Sequence, residues 1–326
     1  MLITRGPPPV IALYMERIEL GKSGIKVSVI GMGMWQASGR IWGDDVTDEN
    51  CVQAVVKSSQ HGVNLVDTAE AYGNGHSEEV LGRALKAVAR KELVVATKVA
   101  GGHLRYDDVI RACDMSLERL GVSQIDLYQV HWPDPWQQIP LRHTMKAMEK
   151  LLGDGKIRAI GVSNFAVRDL EEARSILSHA EIASDQVRYN LLERQIEEEV
   201  MPYCQKEGIA ILAYVPLAQG ALTGKYNRNR KPSDEVRKNT KMFTDHNLDE
   251  LSRLLEVLER VAARKSKTVP QVALNWILSH PAVIPIPGAK NPHQAEQNAG
   301  AAGWSLTARE LDELTSAAEG LELDFF

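Results

Sequence analysis

From position 29 onward the chain alternates two kinds of segment. Short runs rich in Val, Ile and Leu are followed by longer stretches whose apolar residues recur at helical spacing. That alternation is the pattern of repeated βα units around a parallel sheet. Eight runs stand out, at 29–33, 64–67, 93–99, 125–131, 157–162, 183–187, 209–214 and 282–287, and stretches such as 78–89, 107–120 and 141–152 supply crossover helices. Gly121 closes the helix that ends at Leu120, and Gly153 and Gly155 separate Leu152 from the run at Ile157, the usual place of glycine after a helix. Ahead of the first run, 17–20 and 26–28 flank Gly21 and Gly24 and predict a small hairpin that plugs one barrel end. The expected fold is α/β, a (β/α)8 TIM barrel with an N-terminal β-hairpin and extra C-terminal helices.

Composition narrows the function classes. The 326 residues are 44% hydrophobic and 25% charged with a net charge of -5, which suits a large packed core and speaks against a nucleic-acid or anionic-membrane partner. Cys51, Cys113 and Cys204 are odd in number and form no CxxC, so neither a disulfide framework nor a thiolate metal site is expected, and a reducing cytoplasm fits. No apolar run reaches the length of a membrane-spanning helix. Residues 1–16, with Pro7, Pro8 and Pro9, read either as a flexible arm or as an extension ahead of a start at Met15, and 17–326 as one barrel domain. The polar, basic segment 221–245 is too long for an ordinary connection and is expected to be functional or mobile.

In a βα barrel the chemistry sits at the C-terminal strand ends. The second run ends at Asp67 and leads to Tyr72, the third carries Lys98, and the fourth ends at His131. Barrel closure brings these ends into one pocket. A tyrosine hydroxyl is a weak acid, but a neighbouring ammonium lowers its pKa while an apolar pocket restrains its charge; Lys98 would supply that cation, Asp67 would hold it, and His131 would hydrogen-bond and orient a carbonyl. Taken singly each residue has a plainer explanation: a partly buried aromatic, a solvated strand end, a helix cap and a satisfied core histidine. Ser163 and Asn164 would likewise serve as caps of a helix starting near Val167, and Tyr214 as core packing.

The residues of 66–85, VDTAEAYGNGHSEEVLGRAL, resemble the hallmark segment of the aldo-keto reductase family. The resemblance continues through Thr97 and Lys98, through Gln129, His131 and Trp132, through 161–165, through PLAQGALTGKY at 216–226 and through IPGAK at 286–290, and spans 17–314. It implies Tyr72 as general acid, with Asp67, Lys98 and His131 completing a catalytic tetrad. It also implies that Ser163, Asn164 and Gln186 hold the nicotinamide amide and that Tyr214 stacks on the ring. Pro216, Leu217, Gln219, Gly220 and Lys225 would lie along the pyrophosphate, and Gly288, Lys290, Gln294, Gln297 and Asn298 at the adenosine end. Met34 and Trp35 join this cofactor set, while Trp35, Trp42 and Trp132 are the candidate substrate wall. Val215 and Gln297 depart from the family's usual Ser and Glu and put two cofactor contacts in doubt.

The expected activity is reduction of small aldehydes or ketones to alcohols with NADPH, NADH being a second donor, and no metal. The alternative from another class is a cofactor-binding regulatory protein like a channel β subunit. A dinucleotide fold of the GxGxxG type is excluded because Gly31 and Gly33 are followed by Met34, Trp35 and Gln36 with no third glycine. Gly21, Lys22 and Ser23 mimic a P-loop end, but Glu16 stands where its first glycine belongs. The nine histidines form no HExxH. The sequence leaves the physiological substrate and the oligomeric state open.

Overall fold

The computed structural model describes residues 15–43, 45–136 and 138–324; most of the segment read as an N-terminal extension, 1–14, lies outside them. Strands β1 (Arg17–Glu19) and β2 (Lys26–Ser28) pair antiparallel with Ile18 opposite Val27. Eight further strands follow, β3 (Met32–Gly33), β4 (Leu65–Asp67), β5 (Val94–Val99), β6 (Ile125–Val130), β7 (Ile157–Ser163), β8 (Ile182–Arg188), β9 (Ala210–Tyr214) and β10 (Val283–Pro285), all parallel and in sequential order. The sheet closes where the Gly31 and Gly33 amides donate to the Pro285 and Pro287 carbonyls at 2.9 and 3.1 Å. Proline has no N–H to return, so at Pro285 and Pro287 the seam carries bonds in one direction, a single parallel bridge joins Gly33 to Gly288 beyond them, and β3 keeps two regular residues where the apolar run predicts five.

Helices α1 (Asp48–Gln60), α2 (His76–Ala84), α3 (Tyr106–Leu120), α4 (Leu141–Gly153), α5 (Val167–Ile176), α6 (Val200–Glu207), α7 (Asp245–Lys265), α8 (Val269–Leu278), α9 (Pro292–Ala299) and α10 (Ala308–Glu319) surround the barrel. The ring of helices closes where α1 packs on α9, and α10 lies on α7.

Strand alternation divides two buried layers. Val95 and Val99 face the helices, while Leu65, Val94, Ala96, Leu127 and Leu212 fill the barrel with Leu20, Ile25 and Val27 of the hairpin beneath them. The hairpin sits close because Gly21, at φ +57°, has no side chain; a Cβ there would lie 2.2 Å from the Ala183 carbonyl oxygen. The same alternation carries the inward rows of β4, β5, β6 and β8 up to Asp67, Lys98, Gln129 and Gln186 at the open end.

Asp185 points the other way. It is fully buried, and neither carboxyl oxygen has a partner at full hydrogen-bond geometry. Burial, the larger effect, pushes its pKa up to about 8, although the Phe165 backbone amide is close enough to favour the charged form. A folded-state pKa above the unfolded value means stability that is full at low pH and is lost as pH rises through the folded pKa. Asp185→Asn should therefore gain stability relative to wild type as pH is raised from about 4 to about 8, by a few kcal/mol at about 1.4 kcal/mol per pKa unit. Urea melts of both proteins across that range check this; a difference that does not change with pH would contradict it.

Candidate active site and dinucleotide cleft

At the open end, Lys98 is wholly buried and its Nζ donates to Asp67 Oδ1 at 2.5 Å and to the Thr68 carbonyl at 2.8 Å. The other oxygen of Asp67 accepts from Gln129 Nε2 and Gln186 Nε2, both at 2.9 Å. These bonds fix the ammonium 5.1 Å from the centre of the Tyr72 ring. His131 meets that ring edge-on at 5.6 Å. The four residues that the sequence places at three strand ends thus share one small volume.

Their electrostatics follow from burial. Desolvation pulls the Lys98 ammonium down, but Asp67 and Tyr72 outweigh it and its pKa ends above the ordinary value. Burial, with Lys98 adding to it, lowers His131 to about 3, so the imidazole is neutral throughout the physiological range. For Tyr72 both influences expected from the sequence are present. Lys98 does pull the hydroxyl down, yet burial is the larger effect and the net pKa is raised. The hydroxyl is consequently held protonated at neutral pH, with a cation beside it to receive the charge once a proton leaves.

Next to this group runs a cleft of about 570 Å³. All the cofactor candidates line it except Ser163 and Asn164, and Trp35 and Trp42 line it as well. Ser163 Oγ donates to the Gln186 carbonyl at 2.7 Å, and Asn164 Nδ2 donates to the His131 carbonyl at 3.1 Å. Capping is not their task, since the N-cap of α5 is Ala166. Asn164 Oδ1 accepts from the Tyr214 hydroxyl at 2.9 Å, which fixes the ring at the cleft wall. Trp42, read as substrate wall, is buried under the Arg237 and Lys290 side chains and meets Trp35 edge-on at 4.8 Å. Trp132 is 50% exposed and outside the cleft lining.

The segment after β9 enters the left-handed region at Val215, Ala218 and Gln219 with φ of 53°, 48° and 55°. For β-branched Val215 this is a strained conformation, held in part by Asn190 Nδ2 donating to its carbonyl. The loop at 221–245 is tied down, Lys231 to Asp245 at 2.8 Å and Arg228 to Asp249. Its Arg237 reaches the cleft, paired with Asp234 at 2.5 Å and donating to the Gln219 carbonyl. Sequence reading counted Arg237 only among the loop's basic residues; its one local signal is the Asp234 spacing, and its place over Trp42 comes from folding alone. Gln36 was also missed. It lies across Gly288, where a Cβ would sit 2.0 Å from Gln36 Oε1, and that oxygen is buried without a partner.

Lys290 donates to the Trp42 carbonyl at 2.5 Å. Burial, then the nearby Arg237 charge, lowers its pKa, with Lys225 adding to the effect. Three cations crowd one stretch of cleft. This donor set fits an elongated polyanion such as the pyrophosphate of a dinucleotide. Among the described residues no group of three His, Cys, Asp or Glu side chains is placed to hold a metal ion.

Fold and site define a class: a βα barrel with a tyrosine at the cleft wall, a buried lysine and aspartate behind it, and a cation-lined cleft alongside. The model of the aldo/keto reductase family matches residues 29–319. The chain is 36% identical to the aldo-keto reductase YhdN of Bacillus subtilis, over 94% of each chain. It is 33% identical to the NADH-specific methylglyoxal reductase of Escherichia coli, over 94% of this chain and all of that one. The crystal structure of an aldo-keto reductase from Klebsiella pneumoniae in complex with NADPH superposes with a TM-score of 0.76 at 30% identity, covering 95% of this chain and 99% of that one. This chain belongs to the aldo/keto reductase family and is an NAD(P)H-dependent oxidoreductase.

Proposed function

We propose that the protein reduces small aldehydes and ketones to alcohols, with NADPH preferred and NADH accepted. The observation that carries this reading is the Lys98 ammonium, wholly buried, bonded to Asp67 and set against the Tyr72 ring at the end of the cationic cleft. The nicotinamide, when bound, supplies the hydride. Tyr72 gives its proton to the carbonyl oxygen as that oxygen gains charge, and Lys98 stabilises the tyrosinate left behind. The neutral His131 imidazole donates a hydrogen bond to the same oxygen and orients it. Asp67 keeps Lys98 in place, and Gln129 and Gln186 keep Asp67 in place. Tyr214 offers a flat face for the nicotinamide, Lys225 and Arg237 suit the pyrophosphate, and Trp35 forms part of the substrate wall.

No helix among the described residues is long and apolar enough to cross a membrane; the three buried free cysteines support a reducing cytoplasm as its compartment. The regulatory reading has no support from the relatives, whose names are those of reductases.

Cofactor choice tests the cationic end. Lys290, half-buried beside Arg237, is suited to the 2′-phosphate that only NADPH carries. Dissociation constants from quenching of protein fluorescence should favour NADPH over NADH by about tenfold, with the gap shrinking in added salt. Lys290→Ala should remove most of that gap while NADH affinity stays nearly constant. Equal affinities in the wild type would contradict the preference.

A further inference from the structure

Tyr214 has a charged neighbour that the catalytic reading does not use. On the adjoining strand Arg188 is its Cα partner, and the guanidinium carbon lies over the Tyr214 ring, 5.6 Å from its centre. Tyr214 lines the cleft and Arg188 is not among its lining residues. The arrangement is held at each point. The Tyr214 hydroxyl is bonded to Asn164, Arg188 Nη1 donates to Glu193 Oε1 at 3.0 Å, and Glu193 Oε2 accepts from Asn190 Nδ2 at 2.9 Å. Glu193 is mostly buried, its side chain 12% exposed, whereas the Arg188 side chain is 44% exposed, so solvent screens part of its charge.

An aromatic ring attracts a cation through the negative charge on its faces. A guanidinium on one face draws on that charge and repels a second cation brought to the other. The nicotinamide ring is uncharged when reduced and positively charged when oxidised. A ring stacked on the cleft side of Tyr214 would therefore feel Arg188 mainly in its oxidised state.

We propose that Arg188, acting through Tyr214, is a specificity-determining residue that biases the cleft toward the reduced dinucleotide and weakens its hold on the oxidised one. The inference rests on the reading of Tyr214 as the nicotinamide platform. Glu193 tempers the effect, because its carboxylate offsets part of the guanidinium charge at the ring. The direction matches carbonyl reduction, which consumes the reduced form and must release the oxidised form before the next turnover.

Binding titrations of NADPH and NADP+, read by quenching of protein fluorescence, test this without any carbonyl present. In Arg188→Met the affinity for NADP+ should rise about three- to tenfold while that for NADPH moves less than about twofold. Glu193→Gln should shift the ratio the opposite way, and Arg188→Lys should retain most of the wild-type ratio. Equal changes for both dinucleotides in Arg188→Met would mean that the residue only shapes the wall, and an unchanged ratio would mean that its charge is not felt; either result overturns the inference while leaving the reductase reading intact. A wild-type protein that bound neither dinucleotide would overturn both.

Discussion

Replacing Tyr72 by Phe should lower the turnover of carbonyl reduction about a hundred- to ten-thousandfold and leave NADPH affinity within about twofold. The substitution removes one hydroxyl and keeps the ring that stands beside Trp35 and His131. If the hydroxyl delivers the proton, the loss falls on kcat with little change in KM. A second signature comes from pH. His131 stays neutral down to about 3 and the Tyr72 hydroxyl is held protonated by burial, so wild-type kcat should show no histidine step between about pH 5 and about pH 8. Steady-state rates with a small aldehyde check both points. Near-wild-type turnover in Tyr72→Phe would remove Tyr72 from its role, and a step near the ordinary histidine pKa would contradict the neutral imidazole.

Lys98→Met should be damaging twice over. Activity should fall about a hundredfold or more, since Tyr72 loses the cation that receives its developing charge. Stability should fall as well, because Asp67, 2% exposed, would keep its carboxylate without the ammonium that pairs it; removing one partner of a buried pair costs about 3–5 kcal/mol. The Lys98 pKa is raised in the folded protein, so the lysine's contribution is complete at neutral pH and is lost as pH rises through that raised value. The double variant Asp67→Asn with Lys98→Met separates the two effects. It should recover part of the lost stability in urea melts and none of the lost activity. Recovery of activity, or a single variant as stable as wild type, would contradict the assignment.

The barrel was legible because each strand is buried on both faces and its sequence shows it: 94–99 and 125–130 are buried at every position. The first strand was overdrawn because its partner is interrupted by Pro285 and Pro287, a constraint that the run at 29–33 does not carry. Strand ends were equally readable, and Asp67, Tyr72, Lys98 and His131 converge because closure of a barrel leaves them little choice. Which of the two influences on the Tyr72 pKa prevails was not readable, since spacing says that a lysine is near but not how deeply the hydroxyl is buried. Arg237 and Gln36 escaped for a related reason: each reaches the cleft through an irregular segment whose path depends on what it packs against. Trp132 sits at the predicted strand end, half exposed and outside the cleft lining.

The account's central claim is that this cleft couples a reduced nicotinamide to a carbonyl through Tyr72. The most direct test is the stoichiometry of alcohol formed to NADPH oxidised, measured on the purified protein with a panel of small aldehydes, with Tyr72→Phe run alongside. The account predicts one alcohol per NADPH for at least part of the panel and almost none in the variant. Oxidation of NADPH without alcohol, or equal yields from the two proteins, would contradict it.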